Sequence, residues 1–81
     1  MSDINKIVIQ LIDKYAAHKQ KEYFPDMLLT DLGYTSFTFV CLVMELEEFF
    51  DIIFEDEILI MNDVKIKTFI DYVSERTGHN G

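Results

Sequence analysis

Apolar residues recur along most of this chain at intervals of three and four, with polar residues between them. That spacing predicts helices. Ile4, Ile7, Val8, Leu11, Ile12 and Tyr15 fall on one face, and Lys6, Gln10, Asp13 and Lys14 on the other, so residues 3 to 17 or so read as an amphipathic helix. From His18 to Tyr34 the period is lost. Pro25, the Thr30-Asp31 pair and Gly33 punctuate a stretch of 17 residues, expected to be a loop with apolar anchors at Phe24, Leu28, Leu29 and Leu32. A loop of that length in a small domain is unusual and often functional.

Ser36 to Phe50 reads as a second helix. At 100° per residue, Phe39, Leu42, Val43, Leu46 and Phe50 gather on one side and are expected to face the core. The other side carries Phe37, Val40, Cys41, Met44, Glu45, Glu47 and Glu48. A purely solvated face would not normally hold Phe, Val and Met together, so this side reads as a docking surface. The competing reading packs some of these residues, Val40 first among them, under the loop.

Asp51 to Asp63 reads as a turn and a short helix. Ile52, Ile53 and Phe54 resemble a strand locally but are taken as a connector that drops apolar side chains into the core. A last helix over about Lys65 to Arg76 should bury Ile66, Phe69, Ile70 and Val73. Gly78 then supplies a stop before a frayed GHNG tail.

Length changes this picture first. Eighty-one residues make a single domain, 1–81, with its core at about 3–76. A chain so short buries only about 60–65% of its unfolded surface, which leaves little scope for a deep, water-excluded active site. A carrying or binding role is favoured over catalysis.

Charge narrows the partners. The net charge is −8, and no Lys or Arg occurs between Glu22 and Val64, a stretch holding eleven of the fifteen acids. Such a surface repels phosphate backbones and argues against nucleic acid. It should steer basic partner surfaces, although acids can also serve solubility alone. The single Cys41 excludes an internal disulfide. No apolar run approaches a membrane span, and the start of the chain lacks a signal-peptide core. A cytoplasmic monomer away from membranes is expected.

The informative segment is Asp31-Leu32-Gly33-Tyr34-Thr35-Ser36-Phe37, where a loop delivers a serine to the start of a helix. That hydroxyl could simply cap the helix. A helix N-terminus also offers free N–H groups to a phosphate.

The stretch DLGYTSFTFVCLVMELEEFFDI resembles the D-L-G-x-D-S-L…V-x-L-V-M-x-L-E-x-x-F-x-I signature of acyl and peptidyl carrier proteins. The resemblance runs from about Leu28 to Val73 and includes Glu55-Asp56-Glu57 and Ile70-Asp71-Tyr72-Val73. It implies an all-α, four-helix acyl-carrier-like bundle with three main helices and one short one. It implies that a phosphopantetheinyl transferase moves 4′-phosphopantetheine from coenzyme A onto Ser36, and that acyl or aminoacyl cargo rides on the arm's thiol as a thioester. Asp31, Leu32, Gly33 and Thr35 would shape the approach to Ser36. Phe37, Val40, Met44, Glu47 and Glu48 would meet the basic docking patches of loading and thioester-processing enzymes. The protein itself would be non-catalytic, serving a fatty-acid, polyketide or nonribosomal peptide type of pathway.

Departures bear on the partner. Thr35 stands where an acid usually precedes the serine, Phe37 replaces the usual Leu, and Thr38 and Cys41 replace acids. A broad-specificity transferase is therefore expected. Rival readings are weaker. An esterase-like Ser36 with His18 or His79 lacks a nucleophile elbow. Glu55-Asp56-Glu57 lacks the alternating acids and central glycine of a calcium loop, so no metal is expected. Cys41, among acids, should be a poor thiolate. The remaining alternative is an acidic helical adaptor without a prosthetic group.

Overall fold

The computed structural model describes residues 3–54 and 64–77. Within them the chain is all-α: α1 spans Asp3–Tyr15, α2 Ser36–Phe50 and α3 Ile66–Arg76. A 3-10 turn at Leu29–Leu32 precedes α2, and no strand occurs among the described residues.

Helical spacing decides which faces are buried. Ile4, Val8 and Ile12 of α1 meet Phe39, Leu42, Val43 and Leu46 of α2 and Ile66, Phe69 and Val73 of α3 in one cluster. α1 packs on both other helices. Between α2 and α3, the rings of Phe39 and Phe69 lie 5.7 Å apart by centroid, and Phe69 is equally close to Phe54. Phe54 in turn stacks on Tyr72 at 4.7 Å. Such tilted and offset pairs add about 0.5–1.5 kcal/mol each beyond burial.

Several expectations need correction. α1 ends at Tyr15, two residues early, with Ala16 buried as the chain turns away. The stretch after it carries the 3-10 turn, with Leu29 and Leu32 as its buried anchors. Phe24 is no anchor, because it is 53% exposed. Tyr34 takes that role instead: its ring is buried and its hydroxyl donates to the Ile12 carbonyl at 2.7 Å. That carbonyl belongs to the last turn of α1. Phe50 and Ile70 are half-buried at the rim of the core. Of Ile52, Ile53 and Phe54, only Phe54 is fully buried, and Ile53 is 78% exposed. The short helix expected before Asp63, the Glu55-Asp56-Glu57 turn, the Gly78 stop and His79 lie outside the described residues.

The long loop is fastened by its backbone to both ends of the bundle. His18 N–H donates to the Leu32 carbonyl at 2.9 Å. Leu28 and Lys65 form an antiparallel bridge, with Leu29 N–H on the Val64 carbonyl at 3.0 Å. The Met27 and Pro25 carbonyls, each at 3.0 Å, receive the N–H groups of Ile66 and Lys67, two of the donors left orphaned where α3 begins. A segment with no internal periodicity is thus ordered by satisfying helix ends.

Candidate functional site at the start of the second helix

The turn into α2 is built one residue at a time. Leu29 and Leu32 plug the 3-10 turn into the core and leave Thr30 and Asp31 outside. Gly33 then takes a left-handed conformation, φ 82°, and its N–H returns to the turn's carbonyls. Only glycine fits for a second reason as well: a Cβ there would come within 2.7 Å of the Ala17 Cβ and 2.9 Å of the His18 ring. Tyr34 dives into the core, and Thr35, in extended conformation, ends the turn.

Thr35 caps the helix. Its Oγ1 accepts from Thr38 N–H at 3.3 Å, and Thr38 Oγ1 accepts from Thr35 N–H at 2.8 Å. The two threonines form a reciprocal capping box. Ser36 is therefore the first helical residue and not the cap, which removes the simplest structural explanation for a serine here. Its side chain is exposed, and its hydroxyl has no hydrogen-bond partner among the described residues.

Four N–H groups open any α-helix without an intrahelical partner. The box satisfies those of Thr35 and Thr38, and Phe39 N–H makes the first helical bond to the Thr35 carbonyl at 2.9 Å. The N–H groups of Ser36 and Phe37 remain for an incoming group. No acidic residue lies in the first turn of α2. A phosphodiester on Ser36 would meet donors and no carboxylate from the first turn of this helix, so the residues present are compatible with the arm that the resemblance implies.

Along α2 the exposed side divides into open and occupied residues. Phe37 is 76% exposed, Met44 62% and Val40 50%, so Val40 does not pack under the loop. Glu48 is exposed, with no partner among the described residues, and Cys41 is half-buried. Glu45 and Glu47 behave differently. Glu45 accepts from Lys14 Nζ at 2.6 Å and from the Tyr15 hydroxyl at 2.8 Å, clasping α1 to α2. Those two hydrogen bonds, Lys14's first, hold its carboxyl below the ordinary carboxylate range. The same bond to Glu45 raises Lys14 and Tyr15 above their usual values.

Glu47, expected on the docking face, is instead turned toward the end of the helix, where its carboxylate accepts from Phe54 N–H at 2.8 Å. Its backbone carbonyl also takes the N–H groups of Asp51 and Ile52. Its chief structural task is to hold the exit turn.

The capping role of Thr38 and the anchoring role of Tyr34 went unread in the sequence. The Thr-x-x-Thr spacing carried a signal for the first, because it matches a capping box with Thr in place of Glu. No sequence signal pointed to the carbonyl that Tyr34 reaches. Among the described residues, no cluster of three His, Cys, Asp or Glu side chains could hold a metal ion, and no helix is long and apolar enough to cross a membrane. Comparisons with protein-family models, with curated proteins and with solved structures find no match to this chain.

Proposed function

We propose that this chain is a carrier protein, with 4′-phosphopantetheine from coenzyme A attached at Ser36 and acyl or aminoacyl cargo held on it as a thioester. The observation that carries the reading is the division of labour at the start of α2. Thr35 and Thr38 do the capping, so Ser36 stands exposed, uncommitted and beside two free helix N–H groups.

The arm would supply the thiol on which cargo rides, and this chain's residues would hold and present it. The Ser36 hydroxyl is the nucleophile that a phosphopantetheinyl transferase must activate. Once the phosphodiester is formed, the N–H groups of Ser36 and Phe37 would orient it. The turn built by Leu32, Gly33 and Thr35 would set the direction in which the arm leaves, and Asp31 is exposed two residues before Gly33. Phe37, Val40, Met44 and Glu48 make the surface that successive enzymes meet, and tethering raises the cargo's effective concentration at each docked site.

Intact mass after incubation with coenzyme A and a broad-specificity transferase tests this. Wild type is expected to gain one phosphopantetheine and Ser36→Ala none. If folded wild type gains nothing while a control carrier is modified, the alternative of an acidic helical adaptor takes its place.

A further inference from the structure

Resting on the carrier reading, we infer that the chain holds its own cargo in the groove between α1 and α2, and that this groove suits an aminoacyl group with an apolar side chain. Glu48 takes the protonated α-amine, and Leu11 and Phe49 take the side chain.

The groove consists of two shallow concavities that share Glu45 and Glu48. One, of about 240 Å³, is lined by Tyr15, Cys41, Met44, Glu45 and Glu48, and the other, of about 180 Å³, by Leu11, Glu45, Glu48 and Phe49. The two acids are not equivalent. Glu45 is paired with Lys14 and hydrogen-bonded by Tyr15, so its charge is balanced within the fold. The Glu48 side chain is exposed, with no hydrogen bond or ion pair among the described residues. Around it the walls are largely apolar, with Met44 and Phe49 more than half exposed and Leu11 half-buried. An open carboxylate among apolar walls favours an occupant that is cationic at one point and apolar beside it. A carboxylate-bearing cargo would be repelled.

Reach agrees with this placement. At 1.5 Å per residue, Cys41 lies about 8 Å, Met44 about 12 Å and Glu48 about 18 Å along α2 from Ser36. The arm has roughly thirteen backbone bonds from phosphorus to sulfur, a little over four residues of peptide, and spans about 15 Å when extended. Laid along the groove, its sulfur falls between the levels of Met44 and Glu48. The α-amine of an attached amino acid, about three bonds further on, comes level with Glu48. Because the cargo is tethered, a shallow site suffices to hold it. Hand-over follows from the same contact: a partner's Lys or Arg that pairs with Glu48 displaces the amine and frees the cargo.

The test attaches two arms that differ by one ammonium group. A broad-specificity transferase loads Ser36 from coenzyme A analogues ending in a leucyl amide or in its des-amino counterpart, an isocaproyl amide. Nitrogen replaces the arm's sulfur in both, so the cargo is not hydrolysed, and intact mass confirms each product. Backbone N–H resonances are compared with those of the bare arm at about pH 6, where an α-amine is protonated. The leucyl arm is expected to shift Tyr15, Cys41, Met44 and Glu48 about twice as far as the isocaproyl arm, as charged contacts are about twice as strong as neutral ones. Glu48→Gln, with circular dichroism unchanged, should make the two arms alike. Equal shifts in wild type, no shift along the groove, or a leucyl advantage that survives in Glu48→Gln overturns the inference while the carrier reading stands. If wild type is never loaded even with the bare arm, the carrier reading falls and this inference with it.

Discussion

The two ends of α2 solve the same problem in opposite ways. At its start, two neutral side chains, Thr35 and Thr38, satisfy the backbone and leave the neighbouring Ser36 free. At its end, a charged side chain, Glu47, satisfies the backbone with one of its carboxylate oxygens. What a residue offers a partner depends on whether the fold has already engaged it, and residue type alone does not tell. Ser36 looks like a cap and is not one, whereas Glu47 looks like a docking acid and also holds a turn.

The sharpest way to break this contrast is to separate Thr35 from Ser36. Ser36→Ala should abolish loading entirely and leave thermal stability unchanged. Thr35→Ala should cost about 1 kcal/mol of stability, the usual loss for a removed N-cap, and still gain the phosphopantetheine mass. Thermal melts and intact mass on the two variants read both quantities. A Ser36→Ala protein that melts markedly lower would return the capping role to the serine.

Next in size is Gly33, which sets the entry to α2. An alanine there must hold φ near 82° and push its Cβ into Ala17 and His18. A cost of about 1–3 kcal/mol in urea unfolding is expected. A neutral Gly33→Ala would mean that the turn can relax, and that the direction of Ser36 is not rigidly fixed.

Tyr34 comes third. Removing its hydroxyl leaves the buried Ile12 carbonyl without that donor, so Tyr34→Phe should cost about 1–2 kcal/mol. Burial raises the phenol above its usual 10.0, so folding favours the protonated ring. The sign follows from linkage: that contribution is complete below pH 10, where the unfolded phenol is also protonated, and is lost as pH rises above it. Wild-type stability should therefore fall with pH above 10 more steeply than that of Tyr34→Phe. Equal slopes in the two proteins would show that this phenol is not protected.

The helices were legible because each buries a face at helical spacing: Ile4, Val8 and Ile12, then Phe39, Leu42, Val43 and Leu46, then Ile66, Phe69 and Val73. The start of α2 at Ser36 was legible too, since Gly33 punctuates the approach and the helical period resumes after it. The loop was not, because its order comes from long-range backbone bonds, such as Met27 and Pro25 onto the start of α3, which leave no periodic trace. Phe24 was misread as an anchor for the same reason. In a segment without a period, hydrophobicity says that a residue can be buried and not which way it points. The exposed side of α2 was legible as a mixture of apolar and acidic residues. Its division was not, since that depends on Lys14, Tyr15 and Phe54, which lie 31, 30 and 7 residues away from the acids they engage.

The smallest expected effect probes the other end of the comparison. Asp51, the C-cap of α2, is the one non-glycine residue with positive φ among those described, at φ 56° and ψ 50°. Two costs coincide there: a left-handed backbone, mild for Asp but absent for Gly, and a carboxylate at the negative end of the helix dipole. Asp51→Gly relieves both, against the greater unfolded-state freedom of glycine, for a net gain of about 0.5 kcal/mol. Asp51→Asn relieves only the second and keeps a side chain that tolerates this conformation. A gain shared equally by both variants and lost at high salt assigns the cost to charge; a further gain for glycine that persists in salt assigns the rest to the backbone. If both variants are less stable than wild type, the Asp51 carboxylate does structural work that its exposed position conceals, and the end of α2 would be built from two engaged acids instead of one.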